Sequence, residues 1–160
     1  MKKFSVLPLL LFCSFCFSQK IQMQINGIPV SGNGFEVLSF SWGASNPVVF
    51  GGGGMGSGKV SISSFNIMKH MDAATIQLIE GVATGKHYSE AVVTLFDEKD
   101  QPAFRYTMQD VMVESLQQSG SSCGDKKCTN VTESVSFATA KWKWENLKTG
   151  QSYQFNTPTL

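Results

Sequence analysis

A small β-barrel of short, mostly antiparallel strands with one flanking α-helix is the fold this sequence predicts. Three observations point there. Apolar residues recur with period two in short runs, the spacing of strands that bury one face. Turns rich in Gly, Asn, Asp and Pro punctuate those runs at even intervals, as in barrels and tightly rolled sandwiches. Only one stretch, about 72–84, carries the wider recurrence of an amphipathic helix. The chain has 160 residues, of which 42 % are hydrophobic and 16 % charged, enough for one domain with a full core. No internal repeat, linker or second domain interrupts the pattern.

The first 18 residues stand apart. Lys2 and Lys3 precede an apolar run from Phe4 to Phe17, and Cys16 and Ser18 are the small residues before a cleavage between Ser18 and Gln19. A basic start, an apolar middle and a small-residue exit mark a secretory signal. The apolar run falls short of the roughly 20 residues that span a bilayer, so no stable membrane anchor is expected after cleavage. The expected domains are therefore a signal peptide, 1–18, and a barrel domain, 19–160, ending in a polar tail from 146. Removing Lys2 and Lys3 takes the formal charge from +1 to −1. A near-neutral body argues against nucleic acid as a partner, because phosphate binding needs a clustered basic excess.

The mature chain opens with a strand in which Ile21, Met23 and Ile25 alternate with Gln22 and Gln24, ended by the Asn26-Gly27 turn. Phe35 to Trp42 reads as a second strand, with Leu38, Phe40 and Trp42 on one face, stopped by Pro47. A loop of 17 residues from Gly43 to Lys59 follows, long for a hairpin connection and hence a hint of interaction. Val60 to Lys69 is a third strand whose buried face changes near Ser63 to Phe65, the mark of a bulge. The helix then takes Asp72 as N-cap, Ala74, Leu78 and Val82 as its apolar stripe, and Gly85 as its C-terminal stop. Gly81 is expected to weaken its last turn by about 1 kcal/mol relative to alanine.

Strand patterns resume at Ala91, Val93 and Leu95, then at Phe104 to Gln109 and at Val111 to Gln117. A long final strand spans about Thr132 to Glu145. Its buried face switches from Val135 and Phe137 to Ala138, Ala140, Trp142 and Trp144, and Lys141 and Lys143 form the solvated face between the tryptophans. Cys123 and Cys128 close a short loop. Because an exported chain meets an oxidising compartment, a disulfide between them is expected, contributing about 2 kcal/mol for so small a loop.

Several motifs fail their context tests. Gly53 to Lys59 fits the outline of a phosphate loop, but Val60 replaces the magnesium-binding Ser or Thr and a strand, not a helix, follows. Gly51-x-Gly53-x-x-Gly56 fails as a dinucleotide fingerprint for the same reason. His70 and His87 lack a nucleophile at a suggestive spacing. Asp97, Glu98 and Asp100 lack the calcium-loop pattern. No enzyme activity, cofactor or metal is expected.

The stretches Glu36 to Pro47, Gly58 to Asp72, Ala83 to His87, Asp110 to Ser122, and Thr132 to Phe137 with Ala140 to Glu145 resemble, in family order, the Hcp family of type VI secretion tube proteins. That resemblance implies a non-enzymatic structural protein, a barrel assembling as a homohexameric ring that can stack into tubes. It further implies a lumen for effectors and contacts with other secretion-system proteins. On the same ground Gly43, Asn46, Pro47, Gly51, Gly54, Gly58 and Lys59 are the expected ring-stacking loop. The chain departs from the family in its signal segment, its cysteine pair and its ending Asn156-Thr-Pro-Thr-Leu160. Signal and cysteines together place it in the periplasm or outside a bacterial cell. They also motivate an alternative: a monomeric exported barrel that binds a small ligand or polysaccharide beside Trp42, Trp142 or Trp144.

Overall fold

The computed structural model describes residues 19–157 apart from 31, 33, 52–53 and 123–128. The signal segment and its Ser18 boundary, and the Cys123–Cys128 pair, lie outside the described residues.

The main sheet is built from β1 (Ile21–Ile25), β2 (Phe35–Glu36), β3 (Ser39–Ser41), β8 (Phe65–His70), β9 (His87–Phe96), β10 (Pro102–Ser122), β11 (Thr129–Asn146) and β12 (Ser152–Asn156). Its strand order is β2-β1-β9-β10-β11-β8-β3, with β12 also paired to β11, and each pairing is antiparallel. Four short strands, β4 (Ala44–Ser45), β5 (Val48–Gly51), β6 (Gly54–Ser57) and β7 (Ser61–Ile62), stand off this sheet. The sheet curls into the expected barrel.

The segment expected as one strand over Phe35 to Trp42 makes the curl close. Its first half pairs with β1 and its second with β8, at opposite ends of the sheet order. Between them Val37 N–H donates to Ile21 O at 2.9 Å and Leu38 N–H to Met68 O at 2.7 Å. The chain thus crosses the seam within two residues, and its side-chain phase slips there. Val37 is buried, Leu38 is 43 % exposed, and Phe40 and Trp42 pack partly into the core. The expected single face of Leu38, Phe40 and Trp42 is corrected accordingly.

Two other expected strands merge and one divides. Phe104 to Gln109 and Val111 to Gln117 belong to one strand, β10, in which Asp110 takes a left-handed backbone (φ 54°). That turn of the chain moves the buried phase from Met108 to Val111 and Val113. On the facing strand the phase changes at the same level, from Glu133, Val135 and Phe137 to Trp142; of the residues expected on that later face, Ala138 and Trp144 are half-buried and Ala140 is exposed. The expected Val60 to Lys69 strand divides, since β7 belongs to the stand-off strands and β8 to the barrel.

The helix α1 spans Thr75–Thr84, three residues shorter at its start than expected. Asp72 caps the preceding turn instead: its Oδ1 accepts from Ala74 N–H at 2.8 Å and its carbonyl from Thr75 N–H at 3.2 Å. Ala74, Thr75, Leu78 and Gly81 face the core, while Val82 is 37 % exposed. Gly85 ends the helix in the left-handed region (φ 65°), the conformation glycine adopts without strain. The polar tail yields a strand as well: β12 lies along Lys141–Glu145 of β11.

The candidate functional site: a hairpin arm on a polar-faced barrel

The segment 43–59, expected as a loop, carries β4, β5 and β6 of a hairpin arm that prolongs the β3–β8 ladder. At its base Gly43 N–H donates to Ser63 Oγ at 2.7 Å and Ser63 N–H returns to Gly43 O at 2.9 Å. Ala44 then pairs with Ile62 and Ser45 with Ser61. Beyond a break, Val48 pairs with Ser57 and the ladder continues to Gly51 opposite Gly54. Pro47 makes the break, because it cannot donate to a ladder. Asn46 and Pro47 face the three residues Gly58, Lys59 and Val60, so the return side carries one extra residue and the arm bends there. Gly58 N–H donates to Pro47 O at 2.8 Å. A Cβ on Gly58 would stand 2.7 Å from both that oxygen and Pro47 Cγ, so only glycine allows the approach.

Of the expected stacking residues, Gly43, Asn46, Pro47, Gly58 and Lys59 therefore form the arm's base and bend, and Gly51 and Gly54 close its outer ladder. Asn46, Pro47, Val48 and Lys59 are exposed. Between residues 43 and 62 the only charged side chain is Lys59.

A second surface is the polar face of the sheet. Register carries one row across five strands, Gln22–Thr94–Arg105–Glu145–Ser152, and a second, Gln24–Val92–Thr107–Lys143–Gln154. Two hollows of about 430 and 570 Å³ lie along it, lined mainly by amide, hydroxyl and charged groups. Lys143 Nζ and Glu145 Oε1 pair at 2.8 Å.

The tryptophans are otherwise employed. Trp42 stacks on Trp142 and Trp144 with centroids 5.5 and 4.9 Å apart, and Phe155 lies 4.8 Å from Trp144. Trp142 is only 2 % exposed. They fill one another's faces, and of the three only Trp142, with Phe155, also borders the 430 Å³ hollow. Of the histidines, His70 ends β8 at the surface, and His87 Nδ1 meets Asp110 Oδ1 at 2.8 Å in a surface pair. Asp97 ties its own turn together. Its carboxylate accepts from Lys148, Gln101 and Lys99, which holds its pKa down to about 2.

One polar cluster is absent from the sequence expectations. Lys69 and Glu133 are fully buried and paired at 2.8 Å. Lys69 Nζ also reaches Asp72 Oδ1 at 2.8 Å and His70 O at 2.9 Å. Glu133 accepts from Thr75 Oγ1 at 2.9 Å and Gln118 Nε2 at 2.8 Å. Burial alone pushes the Glu133 carboxyl up, but the bonds from Lys69, Gln118 and Thr75 prevail and hold it below its ordinary value. The signal was present in phase: Lys69 continues Phe65 and Ile67, and Glu133 leads Val135 and Phe137, all on the buried face. Among the described residues no group of His, Cys, Asp and Glu is gathered to hold a metal ion, and no helix is long and apolar enough to cross a membrane.

Comparison with known proteins agrees with this architecture. Residues 30–145 match the family model described as type VI secretion system effector, Hcp. The chain is 34 % identical over 77 residues to the protein hcp1 of Pseudomonas aeruginosa, a match covering 46 % of this chain and 48 % of that protein, so it spans about half the length of that curated relative. The crystal structure of Hcp1 from Salmonella typhimurium superposes with TM-score 0.69 at 23 % identity, over 87 % of this chain and 95 % of that one. A chain of the six-fold symmetrised baseplate of the anti-feeding prophage gives 0.57 at 15 % identity, over 92 % and 99 %. A closed curled sheet, one helix against its core and a match across most of the domain lead to one conclusion: the chain belongs to the Hcp family of type VI secretion.

Proposed function

We propose that this protein is a non-enzymatic tube subunit, exported by a signal cleaved between Ser18 and Gln19, whose copies form a six-membered ring. In this reading the arm residues Gly43, Asn46, Pro47, Gly51, Gly54, Gly58 and Lys59 join one ring to the next. The polar sheet face lines the lumen and accepts effector proteins, and the finished assembly meets other secretion-system proteins. Cys123 and Cys128 form a disulfide outside the cytoplasm. Family membership supports self-association, and the likeness to a chain of a six-fold baseplate supports the ring number. The observation that carries the reading is the arm, a ribbon with a single charge whose outer strands pair only with each other among the described residues. Open edges find partners by pairing with another chain, and heterologous contacts of this kind close into rings or propagate into tubes.

Light scattering and electron microscopy of purified Gln19–Leu160 in non-reducing buffer test it. The expected result is a ring six times the protomer mass. A monomer that persists at high concentration overturns it. N-terminal sequencing of the exported form, finding Gln19 first, tests the cleavage, and an intact Met1 refutes it.

A further inference from the structure

The receiving surface for the arm is visible on the same molecule. β10 has strand neighbours on both sides only as far as Met112, which pairs with His87 at the start of β9. From Glu114 to Ser122 its one strand neighbour among the described residues is β11. Glu114, Gln117, Gln118, Ser119, Gly120 and Ser121 are all exposed. Such an edge offers N–H and C=O groups at alternate residues, and proteins usually guard it with lysines, prolines or bulges. Here the nine residues contain no Lys or Pro and a single charge, Glu114. The one irregularity, between Val113 and Ser115, lies where the open edge begins.

The arm's outer ladder is unguarded in the same way, since β5 and β6 pair only with each other among the described residues and the stretch Val48–Ser57 contains no Lys, Pro or charge. The two edges also lie at opposite ends of one strand. The arm leaves β8 ahead of Phe65, whereas the open part of β10 runs beside the His70 end, because Thr132 pairs with both His70 and Ser119. Within one protomer they are not paired. Two protomers in head-to-tail order bring an arm with one cation against an edge with one anion.

We infer that a strand of the β5–β6 ribbon adds to the Glu114–Ser121 edge of a second copy in the adjacent ring, completing its hairpin by main-chain hydrogen bonds. This rests on the tube-subunit reading and names the surface that the arm meets. A strand of four residues makes a weak contact alone, but six such contacts formed together between two rings hold by effective concentration.

The test compares the mature wild-type chain with Ser119→Lys/Ser121→Lys and with Val48→Lys, all at exposed positions. Light scattering reads ring mass, electron microscopy reads stack length, and hydrogen exchange reads edge protection. In wild-type stacks the amides of Glu114–Ser121 and of the arm exchange at least about tenfold more slowly than in single rings. Each variant retains ring mass and loses stacks. Mixing the two variants restores pairs of rings and nothing longer, because each ring then brings one working edge. Stacks without added protection at Glu114–Ser121, or undiminished stacking by Ser119→Lys/Ser121→Lys, overturn this inference and leave the ring reading standing. Absence of rings from the wild-type chain overturns the ring reading itself.

Discussion

At Gly81 the helix gives up propensity for proximity: a Cβ there would lie 2.8 Å from Tyr88 Oη and 3.2 Å from Val113 Cγ2. Tyr88 cannot simply move aside, because it is buried and its hydroxyl donates to Gln77 O at 3.0 Å. Gly81→Ala therefore lowers stability by about 1–2 kcal/mol in urea denaturation, the overpacking outweighing the roughly 1 kcal/mol gained in helix propensity. Sequence alone assigns this glycine the opposite effect, because the tyrosine that forbids a methyl comes from the next strand. The Lys69–Glu133 pair is the other residue-scale determinant. Glu133→Gln leaves a buried ammonium without its main counter-charge and costs about 3 kcal/mol at pH 7. The folded-state pKa of Glu133 lies below the ordinary 4.5, so its contribution is complete above that pH and is lost as pH falls through the folded value. The gap between variant and wild type thus narrows in acid, as denaturation curves at pH 7 and pH 3 will show.

Among the elements, β12 shows how little a strand's local sequence says when its packing is remote. Ser152–Asn156 carries no long apolar alternation, yet Phe155 and Tyr153 stack on Trp144 with centroids 4.8 and 6.4 Å away. Truncation after Thr149 uncovers that aromatic face and the edge of β11. It should reduce stability by about 3 kcal/mol and shift tryptophan emission to the red. The arm shows the converse. Glycines at 51–54, 56 and 58 suggest a loop, but a ladder asks only for backbone groups and tolerable φ and ψ, and the adjoining β3–β8 pair supplies its register. The helix was legible because Leu78, Gly85 and the turn at Asp72 act within a few residues of each other. Its start lies at Thr75, whose hydroxyl donates to Glu133 of β11, a partner remote in sequence.

For the molecule as a whole, barrel closure and assembly are separate questions with separate readouts. The tryptophans are consumed by stacking within the protomer, so ring formation should leave their emission maximum unchanged, whereas ligand binding against Trp42 or Trp144 would move it. Titrating protein concentration through the assembly transition under fluorescence checks this. Composition, period-two alternation and turn residues determined by themselves that the chain is a mainly β domain with one helix, because burying one face of a strand imposes that pattern locally. The ordered family wording determined its kinship, and the change of face in the last strand was written in its own residues. Tertiary structure alone decided that Phe35–Ser41 bridges two distant strands, that Lys69 and Glu133 meet in the core, and that 43–62 rises as a ribbon. Each of these depends on a partner outside the local sequence pattern, and such pairing is set by where the closed sheet brings backbone and charge together.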